Sequence, residues 1–242
     1  RKPFTNKTAL VSGGSKGIGE AIVRGALGEG AHVANVNRSA AEGEAMASEY
    51  AEQGQQCLFV QGDLADSETC QRCVATTLDR FGRIDVLVNN AGVNDGIGLE
   101  AGPDAFVDSL QRNLVHYYAL VHHALSSLKR SRGVIVNIGS KVAETGQGGT
   151  SGYAAAKGAI NSLTREWAVD LAPHGIRVNA VIPAETWTPL YARYVDSAAD
   201  SAAAKRSIAP TIHFENRYTT AEEIANTVLF LSSNSAGHAR GQ

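Results

Sequence analysis

Short runs of β-branched and apolar residues recur along the chain and divide it evenly. They read "TALVS" (8–12), "HVANVN" (32–37), "QCLFVQG" (56–62), "DVLVNN" (85–90), "VIVNIG" (134–139) and "RVNAVI" (177–182). Near-continuous apolar runs of this kind are strands buried on both faces. Longer segments with helical spacing lie between them. The stretch "PDAFVDSLQRNLVHYYALVHHALSSLKR" opens on Pro103 and Asp104 and sets Phe106, Leu110, Leu114 and Leu125 at helical intervals, which predicts one long helix. A second helix carries the stripe Ile160, Leu163, Trp167 and Leu171 and ends at Pro173 and Gly175. Strand and helix alternate from end to end, with no repeat, low-complexity tract or linker. The pattern predicts an α/β fold: a single, doubly wound domain with a mainly parallel sheet and helices on both faces. Ligands bind such a sheet beyond the carboxyl ends of its strands, where strand order reverses.

Composition narrows the class. The 242 residues are 43% hydrophobic, which excludes a disordered or fibrous chain. A formal net charge of −2 lacks the basic footprint of a nucleic-acid binder. No apolar run reaches the roughly 18 residues a membrane span needs. The opening "RKPFTNKTALVSGG" has no apolar core ahead of a cleavage site, so the expectation is a cytoplasmic protein without a secretory leader. Cys57, Cys70 and Cys73 are sparse. The C-x-x-C of Cys70 and Cys73 lies in helix-like sequence with no second ligand pair, so ordinary thiols are expected, and no metal.

Unusual residues gather where the strands end. "SGGSKGIGEAIVRGALGEGA" follows the first strand and spaces Gly13, Gly17 and Gly19 as G-x-x-x-G-x-G before an amphipathic helix. Glycines there let the backbone approach a pyrophosphate at a helix amino terminus; a plain turn is the alternative. After strand two stand Asn37 and Arg38, and Lys16 lies in the glycine loop beside Ser15 and Ile18. Two cations and no carboxylate suit the 2′-phosphate of NADP, where an acidic residue would favour NAD. The competing reading is two solvated surface charges. Asp63, followed by Leu64, suits an adenine edge or a helix cap. In "SGYAAAKGAI", Tyr153 and Lys157 leave one face of a helix among small neighbours.

The glycine loop, "NNAG" (89–92), Asn113 in "LQRNL", Ser140, "YAAAK" and "IPAETWTP" occur in that order. Together they resemble the short-chain dehydrogenases/reductases, over essentially the whole chain. The resemblance implies a Rossmann-like domain and an NAD(P)-dependent exchange of hydride between a secondary alcohol and its carbonyl. It makes Tyr153 the general acid/base and Ser140 the partner of the substrate oxygen. Lys157 then favours the phenolate and holds the nicotinamide ribose, and Asn113 holds a water that relays protons from Lys157 to solvent. Asn90, Ala91, Gly92, Pro183 and Thr186 border the cofactor, and Thr188 matches the residue that binds the carboxamide. Three departures stand out. Ala184 replaces the glycine of the usual Pro-Gly and leaves Glu185 beside the pocket. Ser12 stands where Thr is usual. "GHARGQ" stops where the family continues into a last strand, so the natural chain is expected to be longer.

Substrate contacts are expected from the loop after Ser140 and from residues 184–217. These supply Glu144, Gln147, Glu185 and Trp187, with Tyr191, Tyr194 and His213 beyond them. Carboxylates and amides suit a polyhydroxylated small molecule. "TGQGGTSGYAAAKGA" with "IPAETWTPLY" is most similar to the branch that oxidises free sugars such as L-fucose. A 3-oxoacyl-carrier-protein reductase is the alternative that Lys16 and Arg38 also fit. Its acidic carrier wants a basic rim, to which Lys205 and Arg206 add little and which Glu144 and Glu185 oppose. A nucleotide-sensing regulator without catalysis is the alternative from another class, and the intact Asn113, Ser140, Tyr153 and Lys157 speak against it. The family's habit implies a homodimer or homotetramer through the two long helices.

Overall fold

In this computed structural model residues 2–196 and 215–242 are described, apart from the side chain of Tyr194; Lys205, Arg206 and His213 lie outside the described residues. The first half contains β1 (Thr8–Ser12), α1 (Gly17–Gly28), β2 (His32–Asn37), α2 (Ala40–Glu52), β3 (Cys57–Gln61) and α3 (Ser67–Phe81). The second contains β4 (Val86–Asn89), α4 (Pro103–Leu110), α5 (His116–Ser131), β5 (Val134–Ile138), the short α6 (Val142–Thr145), α7 (Ser151–Asp170), β6 (Arg177–Val181), α8 (Pro189–Asp196) and α9 (Ala221–Ser232). Each strand coincides with one of the apolar runs to within a residue at either end.

The six strands form one parallel sheet in the order β3-β2-β1-β4-β5-β6. The chain starts in the middle, winds outward to β3 and returns beside β1, so strand order reverses between β1 and β4. Side chains alternate across the sheet. Leu10, Leu87, Ile135 and Val178 join Tyr117, Leu120, Ile160 and Trp167 of α5 and α7 in one core. Val11, Val88, Val136 and Val181 join Ile22, Val23, Met46 and Val228 in the other. Two buried faces explain why the strands read as unbroken apolar runs. This is the expected doubly wound, Rossmann-like architecture.

The helix predicted from Pro103 is broken in two by a π-helical turn at Gln111–Val115. The cause is a polar face. Ser109, Asn113 and His116 are among the most buried residues of the segment. Asn113 Nδ2 donates to the Ser109 carbonyl at 3.1 Å, the acceptor that a regular helix keeps for its own ladder. Asn113 Oδ1 accepts from Val93 N at 2.7 Å, which ties the turn to the loop after β4.

Cys70 and Cys73 face the core from α3, and burial pushes their thiols up to about 11 and about 12. Among the described residues no helix is long and apolar enough to cross a membrane.

Candidate active site

A cleft of about 1050 Å³ opens at the carboxyl ends of β1 and β4. Its floor is the glycine loop, and the loop's glycines are required. Gly13 and Gly17 have φ of 69° and 58°, a region that suits glycine. A Cβ on Gly19 would lie 2.1 Å from the Gly13 carbonyl oxygen and 2.5 Å from Asn90 Nδ2. Asn90 Nδ2 donates to the carbonyls of Ser12 and Gly13, and Ser12 Oγ accepts from the backbone N–H of Asn90 and Ala91. The "NNAG" strand end and the glycine loop are thus one bonded unit, in which serine serves at position 12. No side chain caps α1 at Lys16. Free amides at the start of this helix, beside a glycine floor, fit a pyrophosphate. Ser15 turns away: it is buried and accepts from Asn35 Nδ2 at 2.8 Å.

Asn37, Arg38, Asp63 and Leu64 border one end of the cleft. The expectation of two cations and no carboxylate there is corrected on the second count. Lys16 Nζ lies 2.5 Å from Glu42, on the first turn of α2. Lys16 first, then the Ser39 hydroxyl, holds the Glu42 carboxyl down at about 2. The Arg38 side chain is 71% exposed and 3.8 Å from Asp63. Asp63 caps no helix. It accepts from Ala65 N in the preceding turn, and Asp66 caps α3.

At the other end, Tyr153 and Lys157 leave α7 one turn apart, opposite Ser140 at the end of β5. Lys157 is 3% exposed. Its Nζ donates to the Ile138 carbonyl at 2.7 Å and to Tyr117 Oη at 3.1 Å, and lies 5.6 Å from the centre of the Tyr153 ring. Burial lowers Lys157 to about 7. Burial raises the Tyr153 phenol, and a hydrogen bond with Ser140 works against the rise. Gly92 leaves room here: a Cβ on it would meet Asn113 Oδ1 at 3.2 Å and Lys157 Nζ at 3.5 Å. Pro183, Thr186 and Thr188 close the cleft from the β6 side, and Thr188 lies over Gly17.

The mouth is built by two loops. Lys141, directly after Ser140, forms an ion pair with Glu185, and both line the cleft with Gln147 and Tyr191. The Lys141 N–H donates to the Pro183 carbonyl at 3.0 Å, which fastens the same loops through the backbone.

The sequence profile of the short chain dehydrogenases matches residues 7–198. The chain belongs to this family. L-fucose dehydrogenase of Mus musculus is 36% identical over 234 residues, covering 95% of this chain and 83% of that protein. The 3-oxoacyl-[acyl-carrier-protein] reductase of Staphylococcus aureus (strain Mu50 / ATCC 700699) is 32% identical over 239 residues, covering 98% and 94%. The crystal structure of Cj0485 dehydrogenase superimposes with a TM-score of 0.92 at 37% identity, covering 99% of this chain and 92% of that one. This short-chain dehydrogenase is an NAD(P)-dependent oxidoreductase.

The dehydrogenase gathers most of the residues singled out in its sequence. Ser140, Tyr153, Lys157 and all the cofactor candidates except Ser15 line the cleft. Asn113 lies behind its wall, fully buried. Of the substrate candidates, Gln147, Glu185 and Tyr191 reach the cleft. Glu144 instead accepts from Asn161 Nδ2 at 2.7 Å, and Trp187 packs on Tyr218 and Tyr191 at ring distances of 5.0 and 6.1 Å. Lys141, His116 and Tyr117 were missed. Lys141 had one available signal, its place between Ser140 and a loop whose partner loop carries Glu185.

Proposed function

We propose that this dehydrogenase interconverts a secondary alcohol of a sugar-like, polyhydroxylated substrate and the corresponding carbonyl, with Tyr153 as general acid/base. The observation that carries this reading is the buried ammonium of Lys157 beside a phenol that is hydrogen-bonded to Ser140. A bound nicotinamide would supply the hydride acceptor or donor. Ser140 positions the substrate oxygen, and Tyr153 Oη takes the alcohol proton or returns it. A phenol titrates near ~10 in water, too high for a base at neutral pH; the Lys157 charge and the Ser140 hydroxyl both favour phenolate. Asn113 is assigned the relay water. Its amide also holds Val93 and Ser109, which fixes the turn in place behind Lys157.

Lys141, Glu185 and Gln147 at the mouth supply donors and acceptors for several hydroxyls, which favours a polyol. The likeness to L-fucose dehydrogenase over 95% of the chain supports a sugar. A ketoreductase acting on a carrier-bound acyl group is the second reading, supported by the S. aureus relative. The pairing of Lys141 with Glu185 argues against it, since an acidic carrier wants unpaired cations at the rim. Nicotinamide absorbance over a panel of aldoses, polyols, simple ketones and acyl thioesters separates these readings; no turnover with any of them would point to the regulator. Glu185→Ala is expected to raise KM for the best sugar about tenfold, the loss of one hydrogen bond to a charged group, and to leave a hydroxyl-free ketone nearly unaffected. Equal effects on both would assign Glu185 to the loop alone.

NADP is the proposed cofactor, supported by Arg38 and Lys16 at the ribose end, with NAD the alternative. Glu42 narrows the margin, because Lys16 must exchange its carboxylate partner for a phosphate. The expected preference for NADP is about tenfold, or ~1.4 kcal/mol. Isothermal titration with both cofactors should show Arg38→Ala losing that preference and Glu42→Gln widening it. Tighter NAD binding by the unaltered protein would overturn the assignment.

A homodimer or homotetramer is proposed from the exposed apolar residues Val107, Val115, Tyr118 and Val169, on the segments that carry Asn113 and Tyr153. Light scattering on the purified protein tests it. Three free thiols suit the cytoplasm.

A further inference from the structure

Tyr117 is the largest fully buried side chain of the protein's described residues. A tyrosine at that depth needs partners for its hydroxyl. It has two: it donates to the Ile138 carbonyl at 3.0 Å and accepts from Lys157 Nζ at 3.1 Å. Lys157 donates to the same carbonyl at 2.7 Å, which closes a triangle of ammonium, phenol and carbonyl oxygen. The ammonium also lies 5.3 Å from the centre of the Tyr117 ring, within cation–π range. Two of the three N–H groups of Lys157 are therefore committed, and one remains for the cleft.

We propose that Tyr117 is a positioning residue for catalysis: its hydroxyl, held between Lys157 Nζ and the Ile138 carbonyl, fixes the ammonium that faces Tyr153. This rests on the proposed roles of Tyr153 and Lys157. An apolar residue at position 117 would fill the core equally well, yet would leave the buried ammonium with one protein acceptor. The hydroxyl offers that acceptor without adding a second base. Burial, and then the neighbouring Tyr153, keep the Tyr117 phenol protonated. Among the described residues, the remaining titratable group facing Lys157 is His116, also from α5. Burial pushes it down to about 4, so it stays neutral. Among the described residues, the strand side presents the Ile138 carbonyl and the loop after β4 presents Gly92. Lys157 is thus the group of the cluster that burial brings closest to neutral pH, and Tyr153 the one assigned the proton exchange.

The sign follows. Removing the hydroxyl takes an acceptor from the ammonium and lowers its affinity for the proton. Less positive charge then stands beside Tyr153 at a given pH, and its phenolate forms later. In Tyr117→Phe, the rising limb of kcat/KM for alcohol oxidation should move upward by about one unit, with activity recovered at high pH. A purely structural role would lower activity equally at every pH and leave the midpoint in place. A ring-fluorinated tyrosine at this position keeps the fold and the hydroxyl but is a poorer acceptor, and should shift the midpoint the same way by less. It decides the matter if the phenylalanine variant does not fold. An unmoved midpoint in the folded variants overturns the role of Tyr117. Tyr153→Phe run alongside separates the two readings: if it stays active, the proposed mechanism falls; if it is inactive and the midpoint is unmoved, only the Tyr117 inference falls.

Discussion

Tyr153→Phe should cut turnover by at least the ~10²- to 10⁴-fold that a positioned general acid/base supplies, while cofactor affinity stays close to that of the unaltered protein. The change removes one oxygen. The ring remains packed on α7, and Lys157 keeps its bonds to Ile138 and Tyr117, so the cofactor side of the cleft is untouched. What is lost is the atom proposed to exchange a proton with the substrate oxygen, together with the partner of Ser140. Steady-state rates and cofactor titrations on the same preparation make the comparison. A variant that kept most of its activity with any alcohol would remove Tyr153 from the mechanism.

Gly19→Ala should have an effect of similar size by a different route, through the cofactor rather than the proton. The added methyl would sit 2.1 Å from the Gly13 carbonyl oxygen, which is backbone and cannot swing aside. Relieving the contact means opening the turn between β1 and α1 and breaking the bonds that Asn90 makes to Ser12 and Gly13. Overpacking of this kind costs about 1–3 kcal/mol, which in a chain of this size lowers Tm by several degrees, on the order of 5 °C. Cofactor affinity should fall further than stability, by about a hundredfold, since the displaced backbone is the proposed phosphate cradle. Gly28→Ala is the control: a Cβ there meets nothing within 4 Å, and the variant should melt and bind as the original does. Equal cofactor affinity in the Gly19 variant would show that the phosphates lie elsewhere.

The strands could be read from the sequence because a sheet buried on both faces leaves little polar material in them, and turn residues mark their ends. The cleft-lining face of α7 was legible for a related reason, as small residues around Tyr153 and Lys157 stand out on a helix that is otherwise ordinary. The break at Gln111 was not legible. Counting apolar positions followed Phe106, Leu110 and Leu114, while the residues that set the local geometry, Ser109 and Asn113, are polar and bond to the backbone. Glu42 escaped because attention at a strand end falls on the strand's last residue, and this carboxylate reaches back from the next helix. Lys141 and Glu185 lie on loops far apart in the chain, so their pairing becomes visible only when β5 and β6 stand side by side. Tyr117 lies in "VHYYALVHHAL", a stretch that reads as suited to the contact between subunits; the depth of its hydroxyl is a property of the folded helix and not of the letters.

The π turn is a helix with one residue more than its length requires. Deleting any single residue between Gln111 and Val115 would let α4 and α5 run on as one straight rod, with every amide in the ordinary ladder. The segment beyond the deletion would keep its facing, because the wide turn already absorbs the extra residue. His116, Tyr117 and Leu120 would stay on the side they now occupy, while the widening that lets Asn113 reach both Ser109 and Val93 would be lost. A shorter, more regular helix is available to this chain, and adopting it would release the tie between this segment and the loop after β4.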